Sequence, residues 1–209
     1  RSPKFHLWAS KFPLTRPIAR ARASALFDLC AGFVYTQVLY ACVQLRVFEI
    51  LAEGPQDIEE LSPKLSLTQD KAQKLLDAAV ALELLEARGI GCYGLGPQGA
   101  VLAGNPGIEA MISHHQLLYQ DLCDPLALLR GEVSTTRLAS YWPYAGSEQA
   151  GGLPSDQVRA YSELMAASQT LIAEEVLRTY SLSRHQRLLD VGGGSGAFLT
   201  AVAAQWPHL

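Results

Sequence analysis

The residues best suited to chemistry lie in one short stretch near the C-terminal end of the chain, from Leu188 to Phe198. Asp190 is the only acid in it, and glycine occupies four of the five positions that begin at Gly192. Glycine is favoured where the backbone takes positive φ or approaches a ligand closely, and a helix N-terminus offers unpaired N–H groups to an anion. The stretch therefore predicts a cradle for a nucleotide-type cofactor.

The elements that must position this cradle are those of a parallel α/β unit. The segment from Arg187 to Val191 predicts a buried strand, the glycines predict a tight turn, and the apolar run from Ala197 to Trp206 predicts a helix. Ligands of open α/β sheets bind beyond the carboxyl ends of the strands, where this turn lies. A doubly wound sheet needs several more such units, so we expect the chain to hold only the first strand and helix of a truncated cofactor domain.

Two motif templates fit the glycines. Gly192-x-Gly194-x-x-Ala197 satisfies the dinucleotide pattern, which would make the protein a nicotinamide-dependent oxidoreductase. Asp190-x-Gly192-x-Gly194-x-Gly196 resembles the first motif of S-adenosylmethionine-dependent methyltransferases. The acid two residues before the first glycine favours the second template, because a carboxylate there can meet the ammonium group of the cofactor. A glycine turn that holds no ligand is the third interpretation.

The bulk composition indicates a folded globular protein. Of 209 residues, 49% are hydrophobic and 18% are charged, and the net charge of −3 does not favour nucleic-acid binding. The four cysteines are widely spaced with no Cys-x-x-Cys, which favours buried thiols in a reducing cytoplasm over disulfides or a metal site.

The N-terminal part predicts a partner. Residues 1–22 carry six basic side chains and no acid, with aromatic residues between them, so this arm packs on a partner subunit or leans on an anionic membrane. The region from Ser24 to Leu51 predicts a long helix that is apolar around most of its circumference. Its most apolar window, Leu29 to Leu45, contains three interrupting polar residues and is typical of a buried helix rather than a membrane span. We expect an obligate homodimer built on this region.

The middle of the chain predicts a winged-helix-like element. Asp57 caps a short helix to Leu65, a second helix follows over Thr68–Glu86, and glycines then mark a hairpin around Cys92 and Tyr93. The second helix has a negative charge balance, which argues against DNA binding. A further helix is predicted over Ile108–Arg130, with a break at Pro125. Within it, His114 and His115 are adjacent and so cannot chelate a metal together. A loop-rich region over Gly131–Pro154 then forms a substrate wall or a packed loop, and a helix follows from Ser155 or Asp156 to about Tyr180.

A helical, winged-helix-like region before this glycine motif resembles the small-molecule O-methyltransferases of plants and bacteria, which usually dimerise through that region. Four segments are similar to the carotenoid O-methyltransferases of purple photosynthetic bacteria: Phe12–Pro17, Ala25–Val34, Tyr141–Tyr144 and Leu164–Gln169. The resemblance implies a mainly α dimerisation and substrate-wall domain over residues 1–150. A linker helix and the first βα unit of a Rossmann-like S-adenosylmethionine-binding domain would then occupy residues 151–209.

The resemblance also implies an activity and its residues. The activity is methyl transfer from S-adenosylmethionine to a tertiary hydroxyl on a carotenoid, with a bacteriochlorophyll-type substrate or a non-catalytic winged-helix regulatory module as alternatives. The general base is expected beyond Leu209, so the chain alone is expected to be inactive. The implied site consists of Asp190, Gly192, Gly193, Gly194 and Gly196 around the cofactor, Met165 and Ser168 against cofactor and substrate, and Tyr161 and Tyr119 on the substrate wall.

Overall fold

The computed structural model of the chain describes residue 8, residues 12–141 and residues 155–209, without the side chains of residues 140, 155–158, 160, 161, 170 and 171. The chain divides into two units, Arg1–Pro97 and Gln98–Leu209. The sequence analysis placed the domain division at residue 150, later than this boundary. That residue 150 marks the start of the cofactor-binding part remains a prediction.

The first unit combines helices with a small antiparallel sheet. Strand β3 lies between β1 and β2, and its pairing with β2 places Leu95 opposite Leu85 and Tyr93 opposite Ala87. The elements, in chain order, are α1 (Arg16–Gln44), α2 (Val47–Ala52), β1 (Gln56–Asp57), α3 (Ile58–Lys64), α4 (Gln69–Ala81), β2 (Leu85–Gly89) and β3 (Cys92–Leu95).

The predicted helix over Ser24–Leu51 is in fact two helices. The first begins at Arg16 and ends at Gln44, where the N–H groups of Leu45 and Arg46 bond back to Ala41 and Val43. Arg46 then adopts a left-handed conformation, with φ of 56°, and α2 starts at the next residue. The turn sends the chain from the exposed α1 into the core, because Val47, Phe48 and Leu51 of α2 are all buried.

Helix α4 and the β2–β3 hairpin are connected by a turn and by a hydrogen bond. The predicted helix over Thr68–Glu86 ends earlier, at Ala81, because Glu83 takes a positive φ of 58° and turns the chain into β2. The Tyr93 hydroxyl donates to Asp77 at 2.7 Å and ties β3 to α4. The largest fully buried side chains of this unit are Phe48, Leu61, Leu65, Leu76, Leu85, Val47 and Cys42.

The described residues of the second unit form helices and no strand, and the longest of these helices is α9. Helix α9 packs against α6 on one side and α10 on another. Its backbone meets α6 closely, since a Cβ at Gly107 would lie 2.5 Å from the carbonyl oxygen of Ala167. The elements are α5 (Pro97–Leu102), which begins at the end of the first unit, then α6 (Pro106–Asp121), α7 (Pro125–Leu129), α8 (Arg137–Tyr141), α9 (Ser155–Thr179) and α10 (Ala197–Gln205).

The predicted break at Pro125 is confirmed. Helix α6 ends at Asp121, and α7 begins at Pro125 with Asp124 accepting hydrogen bonds from the N–H groups of Leu126 and Ala127. The Asp121 carboxylate accepts two more, from the backbone of Arg137 and Leu138, and so anchors the start of α8 beside the end of α6.

The predicted strand from Arg187 to Val191 is not formed. A strand exists by pairing, and the described residues of the second unit contain no strand that could pair with this segment. It runs without regular structure from the end of α9 to the glycine turn, and Leu189 and Val191 are 84% and 87% exposed. Leu188 instead packs on the small core of Leu177, Leu182 and Val202.

Candidate cofactor site

The glycine turn has the backbone geometry that its sequence predicts. Gly192, Gly194 and Gly196 have φ values of 76°, 55° and 78°, a region that side-chain-bearing residues rarely adopt. Gly196 is also the N-cap of α10, and its N–H donates to the carbonyl oxygen of Gly193 at 2.8 Å. The turn therefore delivers the chain directly into the N-terminus of a nine-residue helix.

Gly193 is required for a different reason. Its φ is ordinary, but a Cβ at this position would collide with Oδ2 of Asp190 and lie 3.1 Å from Oδ1. Oδ2 is buried and has no hydrogen-bond partner among the described residues. Burying a carboxylate oxygen without a donor is unfavourable, so this atom marks a place for a cationic or hydrogen-bond-donating group of a ligand.

A cavity of about 670 Å³ opens between the glycine turn and α9. Its volume lies within the range of small-molecule and cofactor sites. Asp190 is the one acid on its described lining, and no base or histidine faces it there. The lining residues are Asp190, Val191, Gly192, Gly193, Gly194, Ser195, Ala197 and Phe198 from the turn and α10, and Ser162, Met165, Ala166 and Gln169 from α9.

The structure brings some of the predicted site residues together and places others elsewhere. Met165 lines the cavity with Asp190 and the three consecutive glycines. Ser168 is buried on α9, donates to the carbonyl oxygen of Met165 at 2.9 Å and is absent from the lining. Tyr119 lies on α6, with its ring edge-on to that of His115, away from this cavity. The side chain of Tyr161 and the aromatic residues at 142–144 lie outside the described residues.

Two polar residues of the cavity, Ser162 and Gln169, were missed by the sequence analysis. They lie one turn before and one turn after Met165 on the same face of α9, at the spacing i, i+3 and i+7. This spacing shows that the three residues share one helix face. The same spacing is typical of a face that packs in a core, so the cavity could be recognised only once the position of the glycine turn was known.

Comparison with known families identifies the class of protein. The O-methyltransferase dimerisation domain matches residues 27–105. The O-methyltransferase domain matches residues 119–209, which include α9 and the glycine turn. The two matches are separated by residues 106–118 and together cover most of the chain, and the chain belongs to this family of O-methyltransferases.

Individual proteins similar to this chain include enzymes with a known name. The chain is 46% identical over 207 residues to demethylspheroidene O-methyltransferase of Cereibacter sphaeroides, covering 99% of this chain and 54% of the relative. It is 41% identical to the enzyme of that name in Rhodobacter capsulatus, covering 100% of this chain and 52% of the relative. A crystal structure of the S-adenosylmethionine-dependent methyltransferase SibL matches with a TM-score of 0.67 and 28% identity, over 89% of this chain and 56% of that one. The chain thus spans about half the length of these proteins.

Proposed function

We propose that the chain provides the dimerisation region and the start of the cofactor site of an S-adenosylmethionine-dependent O-methyltransferase. Its substrate would be a carotenoid with a tertiary hydroxyl, such as demethylspheroidene or hydroxyneurosporene. One observation carries the proposal: the buried, unpaired Oδ2 of Asp190 lies in a glycine-lined cavity, within a chain 46% identical to a demethylspheroidene O-methyltransferase.

The residues present fit the methionine part of this cofactor. Asp190 would pair with its ammonium group, and the unhindered backbone at Gly192 and Gly194 would lie against it. Met165 and Gln169 would form the facing wall. When bound, the cofactor supplies an activated methyl group on a sulfonium centre.

The residues of this chain would bind the cofactor and orient its methyl group relative to the substrate. Methyl transfer requires the acceptor oxygen and the methyl group in line, and fixed walls reduce the entropic part of that barrier. The described lining offers no histidine or lysine to remove the proton of the acceptor hydroxyl. We therefore assign no general base to the described lining of this cavity.

The proposed enzyme is a homodimer, and α1 carries much of the interface. By length and composition α1 is also apolar enough to cross a membrane: its best 18-residue window has a mean hydropathy of 1.5, and 6% of that window is buried. The match to the dimerisation domain begins at residue 27, inside this helix, which favours a second copy of the chain as its cover. We propose that the protein is cytoplasmic and that the basic residues of the N-terminal arm, residues 1–22, make peripheral contact with an anionic membrane.

We propose that α3, α4 and the β2–β3 hairpin form a winged-helix-like element with a structural role. Helix α4 carries Asp70, Lys71, Lys74 and Asp77, so it has no net charge to offer to phosphates. Lys74 is already paired with Asp70 at 2.8 Å, and Asp77 holds Tyr93. This arrangement favours a packed scaffold over a DNA-reading surface.

The test is methyl transfer by the whole protein. Purified enzyme is incubated with S-adenosylmethionine carrying a labelled methyl group and with demethylspheroidene, and label is followed into the carotenoid. We expect a labelled methyl ether at the tertiary hydroxyl. Label in a bacteriochlorophyll-type macrocycle with none in the carotenoid would overturn the substrate assignment. Absence of cofactor binding by calorimetry would overturn the methyltransferase assignment itself.

A further inference from the structure

The second unit contains another cavity, which shares no lining residue with the first. It has a volume of about 420 Å³ and lies where α6, α8 and α9 meet. Leu117 and Leu164 give it an apolar wall, and the rings of His114 and Tyr141 give it an aromatic one. The two ring centroids are 4.7 Å apart with a tilt of 57°, which holds the imidazole in a defined orientation.

His114 contributes an unsatisfied polar atom to this cavity. Its Nε2 is buried and has no hydrogen-bond partner among the described residues. Burial, and to a smaller extent the neighbouring His115, lower the pKa of His114 below its ordinary value of 6.5, so the neutral imidazole predominates at pH 7. A neutral imidazole nitrogen either donates or accepts one hydrogen bond, according to its tautomer.

The chemistry around His114 selects the kind of ligand. A hydroxyl group both donates and accepts, so it satisfies Nε2 in either tautomer, whereas a carbonyl or an ether satisfies only one. The lining also contains the polar residues Ser113 and Gln116, and its apolar part favours a hydrocarbon body. Glu163 adds its carboxylate at the rim, where the side chain is 72% exposed and faces Arg159 at 3.8 Å. The described lining contains no lysine or arginine, so a negatively charged ligand forms no ion pair with it.

We propose that this cavity binds a neutral, mainly apolar alcohol whose hydroxyl hydrogen-bonds to Nε2 of His114. The site is separate from the glycine turn, and the proposal does not depend on methyl transfer. If the protein is the enzyme proposed above, the cavity is a place for a hydroxylated apolar molecule outside the cofactor cavity.

The experiment measures binding of two probes by calorimetry: 2-methyl-2-octanol, and 2-methyloctane, which has the same carbon skeleton without the hydroxyl. Replacing His114 by phenylalanine keeps the ring contact with Tyr141 and removes the nitrogen. We expect H114F to bind the alcohol at least about fivefold more weakly, as loss of a hydrogen bond to a buried group requires, and to bind the alkane unchanged. H114Q, which restores a donor and an acceptor, should recover part of the affinity for the alcohol.

His115→Phe is the matched control, because His115 is the adjacent residue and is absent from the cavity lining. It should leave both affinities unchanged. In a nitrogen-detected NMR spectrum of the wild-type protein, the alcohol should shift the imidazole signal that is missing from H114F. Equal weakening of both probes by H114F, an equal effect of H115F, or no binding with an unmoved imidazole signal would each overturn the proposal.

Discussion

At the level of single residues, the close approach of the Asp190 carboxylate to Gly193 determines where the acidic group of the cofactor site lies. The carboxylate occupies the space that a side chain at position 193 would need, and its Oδ2 lacks a partner within the described chain. A negatively charged atom is thereby held in a glycine-lined turn, where a cationic ligand group can reach it. The neighbouring glycines are required by their positive φ instead, so the glycines of one motif serve two physical purposes.

Gly193→Ala tests this pairing. We expect the added methyl group to displace the carboxylate and to weaken S-adenosylmethionine binding at least about tenfold, equivalent to ~1.4 kcal/mol, in calorimetric titrations. Ser195→Ala, which adds no atom to the same turn, should have a much smaller effect. In the double variant D190A/G193A, the thermal stability should recover because the collision is gone, while binding stays weak. Tight binding by G193A would contradict the role of the cradle.

Tyr93 makes a buried hydrogen bond that gives the first unit a distinctive dependence on pH. Desolvation raises its pKa from 10.0 to about 12, with the hydrogen bond to Asp77 and the charge of that residue adding to the shift. Because the folded state holds the phenol proton more tightly than the unfolded state does, the stabilisation is fully present below pH 10. It is lost as the pH rises from 10 towards 12.

Tyr93→Phe should therefore cost about 1 kcal/mol in the free energy of unfolding at pH 7, as expected for one hydrogen bond. Urea denaturation across pH 8 to 12 then compares the two proteins. The wild type should lose its advantage over the variant above pH 10, since only the wild type has this proton to lose. A constant difference between them over the whole range would show that the phenol does not titrate as its burial requires.

At the level of elements, α1 is the unusual one, because it is long, apolar and mostly exposed. Leu29 is 80% exposed and Phe33 is 72% exposed. Of the residues in this 29-residue helix, two near its end, Cys42 and Val43, are buried. Exposed apolar surface of this extent marks an interface, and the family match identifies the domain as one that dimerises.

Leu29→Glu and Phe33→Glu should each convert a dimer to a monomer. Each large side chain that returns to water forfeits about 1.5–3 kcal/mol, and the introduced charge opposes reassociation. Light scattering at low micromolar protein concentration measures the result. Ile90→Glu is the matched control, because this fully exposed residue lies at the hairpin and outside α1. A wild-type protein that is monomeric without detergent would refute the dimer.

A thiol footprint gives an independent measure of the same interface. Cys30 is exposed on α1 and Cys123 is exposed in the second unit, whereas Cys42 is buried and its pKa is raised to about 12 by burial. We expect a maleimide to modify Cys123 readily, Cys30 slowly in the dimer but quickly in L29E, and Cys42 in neither.

The sequence predicted those elements whose ends depend on local chemistry. The starts of α3 and α4 after Asp57 and Thr68, the break at Pro125 and the turn at Gly192 to Gly196 were all recognisable. The left-handed Arg46 was not, because nothing in its residue type calls for a positive φ. Nor could Ser162 and Gln169 be assigned to the cavity, since their role depends on where α9 packs.

At the scale of the whole molecule, two exposed apolar surfaces of the described chain differ in how they can associate with other chains. One is the helical surface of α1, whose backbone hydrogen bonds are made within the helix. The other is the segment over residues 187–191, which has no strand partner within the described chain and carries the exposed Leu189 and Val191. Two copies that bury α1 against each other form a closed dimer, whereas a segment without a strand partner offers unpaired backbone groups to which further chains can add.

Leu189→Lys should separate these two modes of association. The residue is 84% exposed and does not line the cofactor cavity, so a charge here leaves both the second unit's core and the site intact. Charged residues on unpaired edges oppose open-ended pairing, so turbidity and large scattering species should decrease at high protein concentration. The dimer measured at low concentration should persist, because α1 is untouched. Dissociation of that dimer by L189K, or undiminished aggregation, would show that the extended segment does not act as an open edge.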